Sequence, residues 1–125
     1  MGNPVVHWEL WSEDPERASA FYGGVFGWNI KAIPELKYHI AETGGEGGIN
    51  GGIMQPDPSG PWPGKLTFYI LVDDLDAYGK KIEAAGGKVI VANQQVPGMG
   101  ALSLFEDPDK RVIGLWKTSP APPPA

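Results

Sequence analysis

Between Val5 and Trp11 the chain alternates. Val6, Trp8 and Leu10 fall on one side, and Val5, His7, Glu9 and Trp11 on the other. Side chains of a strand point to opposite faces in turn, so a period of two predicts a strand here. The period then changes. Ala18, Phe21, Tyr22, Val25 and Phe26 sit at i, i+3, i+4, i+7 and i+8, the apolar stripe of an amphipathic helix. Asp14-Pro15 supplies its start, because a carboxylate can accept a first-turn N–H and proline lacks the N–H that would be orphaned there. Gly27 ends it, since glycine enters the left-handed region without a Cβ clash. Residues 28–33 and 36–41 predict two strands around a tight Pro34-Glu35 turn. Residues 49–55 predict a glycine-rich strand whose bare backbone admits a close neighbour.

Sixty positions later the same order returns. Leu66, Phe68, Ile70 and Val72 alternate with Thr67, Tyr69 and Leu71; Asp73-Asp74 caps a helix with Leu75, Tyr78, Ile82 and Ala85 inward; Gly86-Gly87 stops it. Strands at 88–96, 101–105 and 111–117 follow, the last two joined at Asp107-Pro108-Asp109-Lys110. The expected fold class is α+β: two tandem βαβββ units, 4–55 and 65–117, forming a curved mixed sheet around a central cavity. Residues 56–64 link them, so 1–119 is one domain, and 120–125 is a proline-rich tail. Alternation assigns His7, Glu9, Trp11, Thr67, Tyr69, Val112, Gly114 and Trp116 to the cavity faces.

Composition narrows the chemistry. With 125 residues, 42% hydrophobic and 20% charged, the chain can build one core. A net charge of −5 with no basic cluster argues against nucleic-acid and anionic-membrane partners. With no cysteine, disulfides, thiolate metal sites and a cysteine nucleophile are excluded. The start has no basic n-region or apolar h-region, and no apolar run approaches the ~20 residues of a membrane span, so a cytoplasmic location is expected. The 44–52 loop lacks the Lys-Ser/Thr ending of a phosphate loop.

Residues 4–117 resemble the vicinal oxygen chelate superfamily, which holds glyoxalase I, extradiol dioxygenases and bleomycin-binding proteins. The resemblance rests on His7-Trp8-Glu9-Leu10, Asp14-Pro15-Glu16-Arg17-Ala18, Phe26-Gly27-Trp28, Leu71-Val72-Asp73-Asp74-Leu75 and Phe105-Glu106-Asp107-Pro108-Asp109, in this order and duplicated. It implies ligands for a divalent ion in strands one, four, five and eight. His7 matches the first. The others fall at about Gly52, at Thr67 and at Gly114, none of them the expected His or Glu. Catalytic ions generally need about three protein ligands, so no metal or other cofactor is expected. The resemblance also implies a homodimer.

The candidate catalytic residues are Glu9 and His7. A carboxylate among tryptophans either has a raised pKa or is paired, for instance with Lys65 at the sheet rim. Trp11, Asn50, Thr67, Tyr69, Ser103, Gly114 and Trp116 are the candidate ligand contacts, with Trp62 a further aromatic and His39 a surface residue. The expected function is binding of a small organic molecule, with metal-independent isomerisation, epimerisation or lyase-type chemistry. The alternatives are a non-catalytic sequestering protein and a metal-dependent glyoxalase or dioxygenase with atypical ligands.

Overall fold

The computed structural model describes residues 2–58 and 65–119. Trp62, most of the 56–64 linker and the tail from 120 lie outside them. The described residues gather into two compact units, 6–68 and 2–5 with 69–119. The architecture is α+β, and each unit holds one helix and a mixed sheet.

In the unit 6–68 the sheet order is β2 (Asn29–Ile33), β3 (Tyr38–Glu42), β4 (Gly51–Met54), β1 (Val5–Trp11). The β2–β3 and β3–β4 pairs are antiparallel, whereas β4–β1 is parallel. Helix α1 (Pro15–Phe26) starts as its sequence predicts: Asp14 accepts from the Arg17 N–H at 3.1 Å, and Pro15 opens the first turn. Such a cap is worth about 1 kcal/mol. Gly27 closes it at φ 72°, donating to the Gly23 carbonyl. A 3₁₀ turn, Pro34–Leu36, replaces the simple tight turn expected between β2 and β3 and delivers Tyr38 as the first residue of β3.

The unit 69–119 repeats the plan. Its order is β5 (Leu66–Leu71), β8 (Val112–Thr118), β7 (Gly100–Glu106), β6 (Lys88–Val96), with β5–β8 parallel and the other pairs antiparallel. Asp74 caps α2 (Leu75–Ala84) by accepting from the Ala77 N–H at 3.0 Å. Val72, Leu75, Ala101, Phe105 and Leu115 form the buried cluster, with Ile70, Tyr78, Ile82 and Ile113 packed on it. Residues 2–5 belong here because Leu71 N–H donates to the Pro4 carbonyl and the Asn3 amide donates to the Leu71 carbonyl. In the other unit, Trp11 N–H donates to the Lys65 carbonyl.

The apolar stripe of α1 departs from expectation. No residue of α1 is buried, and Phe21, Val25 and Phe26 are each more than half exposed. Its covered part is aromatic: Tyr22 stacks on Trp28 at 5.2 Å, and Trp28 lies 5.2 Å from Trp8. Ala85, expected inward on α2, is its exposed C-cap residue. Leu66 and Phe68 are exposed as well, whereas Thr67 and Tyr69 between them are buried. On β5 the polar-looking face is therefore the covered one.

Candidate functional site

The parallel β1–β4 ladder sets Glu9 opposite Gly52 and Trp11 opposite Met54, while β3–β4 sets Tyr38 opposite Met54 and Ile40 opposite Gly52. Tyr38 thus begins in the Trp11 row. Its ring runs diagonally over Gly52 toward the neighbouring row, a reach open to long aromatic side chains. A Cβ at position 52 would overlap the Tyr38 phenol, so only glycine leaves room for that path. Gly51 plays the matching part on the other face of β4, where a Cβ would overlap the Trp8 indole.

The path ends at Glu9. Tyr38 OH donates to Glu9 Oε2 at 2.8 Å, and Trp11 Nε1 donates to Glu9 Oε1 at 2.8 Å. The Glu9 carboxyl group is only 4% exposed, so these two hydrogen bonds offset part of the cost of burying it. His7 Nε2 lies 2.7 Å from the same phenolic oxygen. Burial holds the His7 imidazole below its ordinary 6.5, because a charged ring loses hydration there. His7, Glu9 and Trp11 were all placed on one face by alternation, and the structure brings them together. Tyr38 is the member the sequence reading missed. Its only signal is a glycine pair facing two aromatic residues two strands apart.

The other candidates are dispersed. Thr67 is buried on β5. Asn50 does not join the His7 cluster: its Oδ1 accepts from Thr43 N–H at 3.0 Å and ties the glycine loop, beside an open cleft lined by Asn29, Glu42 and Thr43. In the unit 69–119, the Ser103 hydroxyl accepts from Asn93 N–H at 3.1 Å, where β6 bulges. Tyr69 is buried with its ring over Gly114, where a Cβ would overlap it. Trp116 donates to the Thr118 hydroxyl at 3.1 Å. His39, expected at the surface, is half-buried, and its Nδ1 is buried with no hydrogen-bond partner.

The residues do not fit the ion-holding set implied for the family. Glycines 52 and 114 offer no donor atom, and a tyrosine ring fills the space beside each. Among the described residues no three His, Asp or Glu side chains converge as a metal-holding group.

The chain belongs to the Glyoxalase/Bleomycin resistance protein/Dioxygenase superfamily, whose family model matches residues 5–114. It is similar to the anthracycline biosynthesis protein DnrV of Streptomyces peucetius, at 28% identity over 87% of this chain and 45% of that protein. It is similar also to a glyoxylase-like domain-containing protein of Didymella fabae, at 34% identity over 64% of this chain and 66% of that one. The chain spans less than half of the length of DnrV. Among solved structures, Streptomyces coelicolor methylmalonyl-CoA epimerase shares the fold, with a TM-score of 0.67 and 15% identity over 99% of this chain and all of that one.

Proposed function

We propose that this chain binds a small organic molecule and moves a proton on it, as in isomerisation or epimerisation, without the divalent ion of its metal-using relatives. Glu9 and His7 supply the acid–base pair. The observation that carries this reading is the continuous hydrogen-bonded run Trp11–Glu9–Tyr38–His7, which holds a carboxylate inside the protein and links it to a half-buried imidazole. A positioned base of this kind contributes roughly 10²–10⁴-fold to a proton transfer. That epimerases share the fold favours carbonyl compounds with a hydrogen on the adjacent carbon. The relative named for anthracycline biosynthesis keeps flat aromatic compounds among the ligands to test. Nucleic acid and membrane are not partners in this reading, and two chains pair as a homodimer, which sedimentation equilibrium checks.

The test is deuterium exchange. Chelator-treated protein is incubated in D₂O with a panel of such carbonyl compounds, and loss of the carbon-bound proton is followed by NMR. Exchange is expected in the wild type. In Glu9→Ala it should fall about 10²-fold or more while binding persists. Binding without exchange in the wild type would make this a sequestering protein. Exchange that returns only with an added divalent ion would make it a metal enzyme with atypical ligands.

A further inference from the structure

We propose that the outward side of helix α1 is the surface through which two copies of this chain meet, as an α1–α1 pair about a two-fold axis beside Phe21 and Gly24. This names the surface of the homodimer proposed above and rests on that pairing, not on the acid–base chemistry.

The side of α1 that faces the sheet is small and polar. Pro15, Ala18, Ser19, Tyr22 and Gly23 are its half-covered positions, at i, i+3, i+4, i+7 and i+8. A Cβ at Gly23 would meet the Trp28 carbonyl and the Ile30 side chain, which fixes this row against the sheet. The large apolar residues lie off it. Phe21 is 57% exposed, Val25 60% and Phe26 59%. The chain's own core therefore does not account for them.

The duplication supplies a control within the molecule. Shifted by 60 positions, the row Arg17–Phe21–Val25 falls on Ala77, Lys81 and Ala85, and Ala20 and Gly24 fall on Lys80 and Ala84. The same side of the same helix is charged or small on α2, as water requires, and aromatic and aliphatic on α1. The bias extends beyond the helix. Nine large apolar side chains are exposed among the described residues. Two of them, Val5 and Met99, belong to the unit 69–119 with 2–5, and seven to the unit 6–68.

A second copy is the occupant this surface fits. Arg17, Phe21 and Val25 form an i, i+4 ridge, and Ala20 and Gly24 beside it form a shallow groove. A Cβ at Gly24 would have nothing within 4 Å, so the groove is open. A two-fold interface sets one surface against itself and needs both a ridge and its groove. Charge agrees with this pairing. α1 has an acidic first turn and no basic residue in its last. With the two helices running in opposing directions, each Arg17 lies by the other's last turn, where the carbonyl end of the dipole favours a cation. One helix pair covers less than the ~1,200 Å² of a stable interface, so the dimer should dissociate on dilution. The urea midpoint of dilute, dissociated chains is a separate quantity, set by each chain's own fold.

The experiment is sedimentation equilibrium of the full chain, with thiol cross-linking beside it. The chain has no cysteine, so one introduced thiol reports its own neighbour. The wild type should form a dimer at high concentration, and Phe21→Glu should weaken it about tenfold or more. Under mild oxidation Gly24→Cys, close to the axis, should link to its own copy, whereas Ala84→Cys at the matching place on α2 should stay single. Phe21 is exposed, so its variant should fold, and the Gly24→Cys result stands without it. A dimer that tolerates Phe21→Glu overturns the α1 surface and leaves the homodimer. Equal linkage of Gly24→Cys and Ala84→Cys does the same. A monomer at every concentration overturns both. It would leave a further segment of a longer chain as the cover, since DnrV is more than twice the length of its matched stretch.

Discussion

His7 and Asp107 each tie stability to pH, in the same direction and in separate windows. The folded state holds His7 below 6.5, so near that value the unfolded chain binds more protons. The His7 contribution is full above 6.5 and erodes as pH falls through the lowered folded value. The urea midpoint of the wild type should therefore drop more steeply than that of His7→Gln between about pH 7 and about pH 5. Equal slopes would assign the loss to other groups. Asp107 is held below its ordinary 3.8, first by the Arg111 backbone N–H and also by the Arg111 side chain. Its contribution is present above 3.8 and disappears only as pH falls through the lower folded value. At this scale the sequence shows His7, Glu9 and Trp11 directly, since alternation within one strand requires no tertiary information. Tyr38 was hidden because its partner is 29 positions away, and their meeting depends on a register that only the β3–β4–β1 ladder defines.

For strand β4 the crossing at Gly52 is the decisive contact. Gly52→Ala should cost about 1–3 kcal/mol, since the added methyl must displace the Tyr38 ring from its path. Tyr38→Ala in the same chain removes the obstacle. The double variant should then be more stable than the sum of the single losses predicts, by about 0.5–3 kcal/mol in chemical denaturation. Strict additivity would show that ring and glycine do not compete for one space. The glycine-rich strand was readable as a place of close approach, but what approaches is a phenol from the adjoining strand. Helix α1 teaches the complementary lesson. Its caps are local chemistry and appear where Asp14, Pro15 and Gly27 put them. Its stripe spacing defines a face without specifying what covers that face, and Phe21, Val25 and Phe26 remain exposed.

Across the whole molecule the duplicated plan repeats in detail. Both helices begin with an aspartate cap, and both units pair their first strand in parallel with their last. Each unit also encloses large side chains, Leu104 in the unit 69–119 and Ile53 in the unit 6–68. Leu104→Ala should cost about 2–5 kcal/mol, read as a lower urea midpoint with an unchanged slope. Val25→Lys on α1 should stay within about 0.5 kcal/mol of the wild type. A large loss at Val25 would mean that α1 is covered in the assembled protein. The duplication was the part of the fold most open to reading, because two copies of one pattern support each other. The site was less so, because it depends on what two glycines permit.

The pairing of a bare backbone position with the ring lying across it also constrains ancestry. A lineage that placed a carboxylate at position 52 would first collide with the phenol. One that gave up the phenol first would leave a hollow and sever the link to the imidazole. Either single step passes through a less stable intermediate, so descendants should keep or lose both residues together.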